Sequence, residues 1–388
     1  MGKILFLEWK SFANDFLIKA LQRYGKEVIK YTLDIHAENT RNSEKLATEI
    51  ARKLMEESFE AVISFNYLPV AAIACKACNV SYIAWVYDSP YVQMYSETIR
   101  LETNRVFVFD SAEWERFVQR GIQTVRFLPM AADAGYYDQL LGEMDGTYDY
   151  DISFVGSTYC EEYQQMYRHL KKLDPYTKGY LDAAMNAQKN VYGVNFMEKI
   201  LTADIVENMQ KVCPVFGNGD GFETVEWTFA RYFLDRKITS MERMEILERL
   251  SGKNKVALFT PEQTPGLSKV CNKGKVDYYT EAPRVFRKSK INLNITLKSI
   301  VNGIPLRVFD IMGCGGFLLT NYQPDLFEFF VPDEDFVFYE DQEDLERKVD
   351  YYLKHDEERE QIARNGYEKV KKFHSYDLRV EEMMSYIN

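Results

Sequence analysis

Histidine is scarce in this 388-residue chain: His36, His169, His355 and His374 are the only four, and they lie far apart. Cysteine is scattered as well. Its one close pair, Cys75 and Cys78, sits in the apolar run VAAIACKACNV with no second pair at ligand spacing, and so reads as helix packing rather than as half of a zinc site. Asp149 and Asp151 alternate on entering a strand and point to opposite faces, so no metal site is expected. Basic clusters are missing: 48 Lys and Arg against 59 Asp and Glu give a net charge of -11, which argues against nucleic acid as a partner. No apolar run reaches the roughly 18 residues of a membrane span, and the opening MGKILFLEWKSF meets Glu8 and Lys10 too early for a signal-peptide core. A cytoplasmic protein with no integral membrane segment is the expectation.

Apolar and aromatic mass is plentiful. Hydrophobic residues make up 46% of the chain and aromatics 14%, enough to fill the cores of the two to three domains that its length suggests. The first 130 residues alternate strand and helix patterns: strands at Lys3–Leu7, Val28–Tyr31, Ala61–Phe65, Tyr82–Tyr87 and Val106–Phe109, helices at Phe12–Tyr24, Ser43–Glu57 and Ala112–Gln119. Such alternation predicts an α/β fold, a parallel sheet with helices on both faces, over residues 1–141. The polar GEMDGTYDY at 142–150 suits a linker, and DISFV at 151–155 opens a second α/β domain reaching 374. Between about 159 and 252 the pattern is mostly helical (Tyr159–Leu173, Phe196–Val212, Glu223–Leu250), an insertion in that domain. GNGDGF at 217–222 reads as a turn before the Glu223 helix. A C-terminal helix over 375–388 is expected to pack back on the first domain.

The richest stretch is KINLNITL at 290–297, followed by GIPLRVFD at 303–310 and GCGGFLLTN at 313–321. Ile291–Ile295 reads as a strand and Pro305 as the start of a helix, since proline is tolerated in the first turn. Leu306, Phe309, Ile311 and Met312 give that helix an apolar face, Gly313, Gly315 and Gly316 end it, and Phe317–Thr320 is the next buried strand. Open α/β sheets bind ligands at the carboxyl ends of their strands, where helix N-termini offer free N–H groups to anions. A diphosphate suits that place. Arg307 lies in the first helical turn, where a cation opposes the helix dipole by a few tenths to about 1 kcal/mol unless an anion offsets it. Asp310, one turn on, has the spacing to accept hydrogen bonds from a ribose diol while Arg307 meets phosphate. A surface ion pair between the two is the plainer alternative.

Four segments together resemble the C-terminal domain of GT-B glycosyltransferases, most closely the CgeB-like (spore-protein) family: VALFT at 256–260, APRVFRKSKINLNIT at 282–296, GIPLRVFDIMGCGGFLLTN at 303–321, and ERKVDYYLKHDEEREQIARNGYEKVKKFHSY at 346–376. The resemblance implies two Rossmann-like domains facing a cleft and transfer of a sugar from a nucleotide diphosphate donor, a UDP-sugar, to an acceptor hydroxyl, with no cofactor and no bound metal. The acceptor, a protein or glycan, is not specified. Related retaining enzymes carry two glutamates seven residues apart beside this helix. Here Asp310 takes the second position and Asn302 the first, a departure that fits direct displacement with inversion and leaves retention open. Asn302, Gly303, Ile304, Pro305 and Leu306 then form the donor loop ahead of Arg307.

Other site residues follow from strand ends. Asp88 ends the run YIAWVY before Ser89-Pro90 breaks the chain into a loop; it is either a general base with its pKa raised by burial in the cleft, or a loop cap. Glu8, ending the first strand, is the reserve base or a solvated residue. Gly156 and Ser157 follow DISFV in a small-residue loop suited to phosphate. Asn294 and Thr296 end KINLNIT, Arg284 precedes it on a helix as either a donor-site residue or, the favoured alternative, only a surface residue, and Asn66 and Tyr67 after Ala61–Phe65 are placed on the acceptor side, with a turn role for Asn66 equally open. Two rival functions stand beside transfer: a GT-B epimerase or phosphorylase acting on the same donor, and a non-catalytic spore-coat or scaffold protein with a degenerate donor site.

Overall fold

The structure is a computed structural model that describes residues 2–35, 39–143, 146–162 and 164–387. His36, the expected linker residues Met144 and Asp145, and Tyr163 of an expected helix lie outside the described residues. The chain forms two compact units, one of Met1–Ala131, Gly217–Glu223 and Phe373–Asn388, the other of Ala132–Phe216 and Thr224–Lys372.

In the first unit β1 (Lys3–Glu8), β2 (Glu27–Thr32), β3 (Ala61–Phe65), β4 (Ser81–Val86), β5 (Asn104–Val108) and β6 (Val125–Phe127) make a parallel sheet in the order β2-β1-β3-β4-β5-β6. KILFLE, AVISF and SYIAWV are apolar at successive positions because a parallel sheet is buried on both faces. The crossovers are α1 (Asn14–Arg23), α2 (Glu44–Glu56), α3 (Pro69–Cys78) and α4 (Ser111–Gln119). Ser43 and Asp110 accept the first free amides of α2 and α4. The C-terminal helix Tyr376–Met384 lies in this unit and packs on α1, with Tyr376, Val380, Met383 and Met384 buried.

The second unit holds β7 (Tyr150–Val155), β8 (Val256–Phe259), β9 (Cys271–Asn272), β10 (Ser289–Asn294), β11 (Leu318–Asn321) and β12 (Val337–Tyr339), parallel in the order β12-β11-β10-β7-β8-β9. Its helices are α5 (Ala134–Leu141), α6 (Pro175–Lys189), α7 (Ala203–Val212), α8 (Val225–Thr228), α9 (Asp235–Ser251), α10 (Ala282–Arg287), α11 (Leu306–Gly313), α12 (Pro324–Phe329), α13 (Gln342–Tyr352) and α14 (Asp356–Phe373). Ile152, Phe154, Leu258, Ile291, Leu293 and Leu319 from the sheet pack with Ile246, Leu250, Leu345 and Val349 from the helices. The helical segment has its own core around Leu181, Met185, Met209, Phe229 and Phe233.

That segment departs from the expected pattern. Tyr159–Leu173 is not one helix; only Met166–Leu170 coils, as a short 3-10 turn. Instead α6 starts later, where Asp174 caps two amides and Pro175 occupies the first turn, a start signal present in the sequence. Phe196–Ile200 is a turn rather than the head of α7. A π-helical run, Phe229–Leu234, joins α8 to α9.

Candidate functional site

The chain runs outward from β7 to β8 and β9 on one side, then returns to β10, β11 and β12 on the other. The topological switch therefore lies between β7 and β10, the place where open α/β sheets take ligands at the carboxyl ends of their strands. Gly156 and Ser157 follow β7 there, and Ile295 and Thr296 follow β10. Helix α11 begins at the same end of the sheet. Pro305 is its N-cap residue, extended at φ -60° and ψ 148°, and no side chain caps the first amides. The helix thus starts one residue later than the proline suggested; the Val308 amide donates to the Pro305 carbonyl at 3.0 Å, and the Leu306 and Arg307 amides ahead of it are the ones placed to meet an anion.

Arg307, in the first turn, lies 5.4 Å over the Phe154 ring. Its guanidinium also rests against Gly156, whose φ is 152°, and a Cβ at that position would collide with it. Among the described residues Arg307 has no carboxylate within ion-pair distance and no hydrogen-bond acceptor. Burial, and then the charge of Arg243, push its pKa down to about 10. The ion pair with Asp310 that the spacing allowed does not form.

Arg243, on α9, also lies at these loops, and the sequence did not single it out. Its Nη1 donates to the Ser157 carbonyl at 2.6 Å and its Nε to the Ile295 carbonyl at 3.0 Å, tying the loop after β7 to the loop after β10. Its guanidinium also faces the rings of Phe154 at 5.2 Å and Tyr159 at 4.9 Å. Two arginines thus stand at these strand-end loops, neither ion-paired among the described residues, with the buried Glu161 and Glu242 near enough to act on the charge of Arg243. Around these loops, the buried Thr158 Oγ1, Glu161 Oε1, Thr260 Oγ1 and Asn294 Oδ1 have no partner among the described residues. Buried orphan polar atoms each cost roughly 1–3 kcal/mol, so their gathering at the ends of β7, β8 and β10 marks a place that water or a ligand completes.

Asp310 is only 4% exposed, and its Oδ1 accepts from the Tyr137 hydroxyl at 2.8 Å and the Tyr278 hydroxyl at 3.2 Å. Burial raises its carboxyl to about 7, against the two hydroxyl bonds and Arg307, which pull it down. Neither tyrosine carries a sequence signal for this role.

Residues 239–385 match the glycosyl transferase-like family. The matched stretch contains Arg243, Arg307 and Asp310 but not β7 or its loop. No curated protein sequence matches the chain. Among solved structures, a glycosyltransferase from Rickettsia africae aligns over 100% of this chain and 97% of its own at 10% identity and a TM-score of 0.54. Sucrose-phosphate synthase from Thermosynechococcus elongatus aligns over 100% and 99% at 11% identity and 0.52. HepE from Anabaena, solved with UDP-glucose, aligns over 100% of both chains at 11% identity and 0.55. These likenesses show the two-domain GT-B fold.

The remaining expected residues divide. Ser157 Oγ donates to Glu161 Oε2 at 2.7 Å and accepts from the Tyr159 amide at 2.8 Å, so it shapes the loop. Asn294 and Thr296 are buried: Asn294 Nδ2 donates to the Thr296 and Thr320 hydroxyls, both at 3.0 Å, while the Thr296 amide donates to Asn321 Oδ1 at 2.8 Å. They support the site from below. In the loop ahead of α11, Ile304 is core and the Gly303 carbonyl accepts from Gln323 Nε2 at 2.9 Å. Asn302, half-buried, takes the Asp325 amide on its carbonyl at 3.1 Å, while Pro305 and Leu306 stay partly exposed.

Arg284 is an exposed helix residue, the surface alternative that the sequence left open. It belongs to α10, which feeds β10, so it sits at the amino ends of the strands, lining a cavity of about 390 Å³ with Tyr148, Asp149, Arg287 and Lys288. In the first unit, Asn66 and Tyr67 are 1% and 0% exposed and have no surface to offer an acceptor. Asn66, in the left-handed region at φ 56°, is a turn residue whose Nδ2 donates to Asp88 Oδ2 at 2.7 Å and whose Oδ1 accepts from the Tyr87 amide at 3.1 Å. The Tyr67 hydroxyl is shared with Thr98 at 2.9 Å and Asn104 at 3.3 Å. Asp88 stands at the end of β4 as expected, but it is exposed rather than buried. Glu8 pairs with Lys30 at 3.0 Å.

Proposed function

We propose that this protein is a glycosyltransferase of the CgeB-like kind that moves a sugar from a nucleotide diphosphate sugar, with UDP as the nucleotide, to an acceptor hydroxyl. The observation that carries the reading is Arg307: a guanidinium without a countercharge among the described residues, in the first turn of α11, against Gly156 at the switch point. A diphosphate is the anion that matches a helix N-terminus, a glycine loop and two arginines. The match of residues 239–385 to the glycosyl transferase-like family and the UDP-glucose bound by HepE support the same choice.

In the proposed step the acceptor oxygen attacks the anomeric carbon, the bond from that carbon to the diphosphate oxygen breaks, and the acceptor proton passes to a carboxylate base. Negative charge grows on the leaving diphosphate, where Arg307, Arg243 and the α11 amides stabilise it without a metal ion. Asp88 is our proposal for the base, acting with inversion. Its exchange in Asp88→Asn abolishes transfer and spares UDP binding.

Titration calorimetry with UDP and UDP-glucose tests the reading. Wild type binds, Arg307→Ala loses at least tenfold in affinity, and EDTA changes neither binding nor turnover. Asn302, standing where retaining relatives carry glutamate, favours a second reading as a non-catalytic scaffold. Binding without any sugar released or transferred supports that reading; no binding of any nucleoside diphosphate sinks both the donor site and the transferase.

A further inference from the structure

Two phenols converge on one oxygen of Asp310. Tyr137 comes from α5 and is buried; Tyr278 comes from the connection between β9 and α10 and is partly exposed. Both hydroxyls lie within hydrogen-bond distance of Oδ1, at 2.8 and 3.2 Å, and no described residue bonds Oδ2. The carboxylate is not sealed, since 4% of the residue remains exposed. A phenol facing a carboxylate donates, so two donors on one oxygen fix the carboxylate plane and leave the lone pairs of the other for a further donor. One turn before it on the same helix, Arg307 faces the diphosphate place. A nucleoside diphosphate held by Arg307 has its ribose next along the ligand, and a ribose carries vicinal hydroxyl donors.

We infer that Tyr137 and Tyr278 are positioning residues that hold Asp310 Oδ2 toward the ribose hydroxyls, and so make the protein select ribonucleoside diphosphates over those lacking the 2′ and 3′ hydroxyls. The inference rests on the nucleotide reading given above. Among the described residues the charged and titratable groups facing Asp310 are the two tyrosines, Arg307 and Cys314. Deprotonated Asp310 accepts a hydroxyl on Oδ2, whereas the acid does not offer the same pair of acceptors, so the selectivity weakens as the carboxyl takes up a proton.

The full-length chain and its Tyr137→Phe and Tyr278→Phe variants are titrated with UDP and with 2′,3′-dideoxyuridine diphosphate. Wild type is expected to favour UDP by tenfold or more. Each variant loses about fivefold in UDP affinity, the worth of one hydrogen bond, and keeps its dideoxy affinity, so the ratio narrows. The wild-type ratio also falls as pH drops below 7. A tie that only braces three segments weakens both nucleotides alike and leaves the ratio unchanged, and that result overturns the inference while the donor site stands. Tyr278→Phe, on a partly exposed connection, keeps the test available if the buried Tyr137→Phe chain folds poorly. A wild type that binds neither nucleotide overturns the nucleotide reading and this inference with it.

Discussion

Burial holds the Asp310 carboxyl near 7 in the folded chain against an ordinary value of 3.8, even with Tyr137, Tyr278 and Arg307 favouring its charge. Below pH 4 the group is protonated whether the chain is folded or not, and it costs nothing. As pH rises from 4 through 7 the unfolded chain ionises first, so stability is lost across that window and levels off above it. Asp310→Asn keeps an oxygen for the two phenols and removes the titration. The variant is therefore expected to match wild type near pH 4 and to exceed it above pH 7 by a few kcal/mol, since each tenfold change in proton affinity is worth about 1.4 kcal/mol. Urea unfolding of both proteins at pH 4.5, 6 and 8 measures this; a constant difference across the series means that Asp310 does not titrate in that range. The same variant loses the charged acceptor, so it gains stability while losing nucleotide selectivity, the trade expected where a site keeps a poorly solvated charge for use.

The segment Gly217–Glu223, whose GNGDGF at 217–222 reads as a turn ahead of the Glu223 helix, is an element of the first unit. Gly221 bridges Ser96, the Glu97 amide donates to the Asp220 carbonyl at 2.8 Å, and Phe222 packs 5.2 Å from Tyr95. Its anchor is Arg41, 5% exposed, which pairs with Asp220 at 2.8 Å and Glu223 at 3.2 Å. Arg41→Ala leaves Glu223 buried without that countercharge and should cost about 3 kcal/mol of stability in urea unfolding; an unchanged midpoint would show that water replaces the guanidinium. Nothing in GNGDGF announces this docking, because its partners stand more than a hundred positions away. Arg243 was hidden for the same reason, its carbonyl partners lying 86 and 52 positions off. By contrast β1, β3, β7 and β10 were legible, since each is a short apolar run bounded by turn residues, and so was the Arg307 helix, whose glycines and proline are local signals. For Arg284 direction decides between site and surface: a helix leading into a parallel strand delivers its side chains to the amino end of the sheet, whatever its closeness in sequence to the site, and the residue is exposed there.

At the scale of the whole chain, both ends belong to one unit. The path leaves the first unit after Ala131, returns to it over Gly217–Glu223 and closes it with Phe373–Asn388, so that unit lacks a piece of its core until the last residues are present. Tyr376 meets Phe16 at 5.6 Å and Trp85 at 5.8 Å between ring centres, and the Arg379 Nε donates to the Pro129 carbonyl at 2.8 Å. Tyr376, Val380, Met383 and Met384 are buried with it, each apolar side chain contributing roughly 1.5–3 kcal/mol. A chain ending at Phe373 therefore exposes Phe16 and Trp85 and loses several kcal/mol, a large share of the roughly 5–15 kcal/mol that holds a domain. The proposed donor site draws Arg243, Arg307 and Asp310 from the second unit, and they remain in that truncation. Calorimetric melting of the truncated protein should show the first unit's transition lowered or lost, while added UDP still raises the other transition, by about 2.7 kcal/mol at a hundred times its Kd. Loss of UDP binding along with the first unit would instead mean that the second unit needs the first in order to fold.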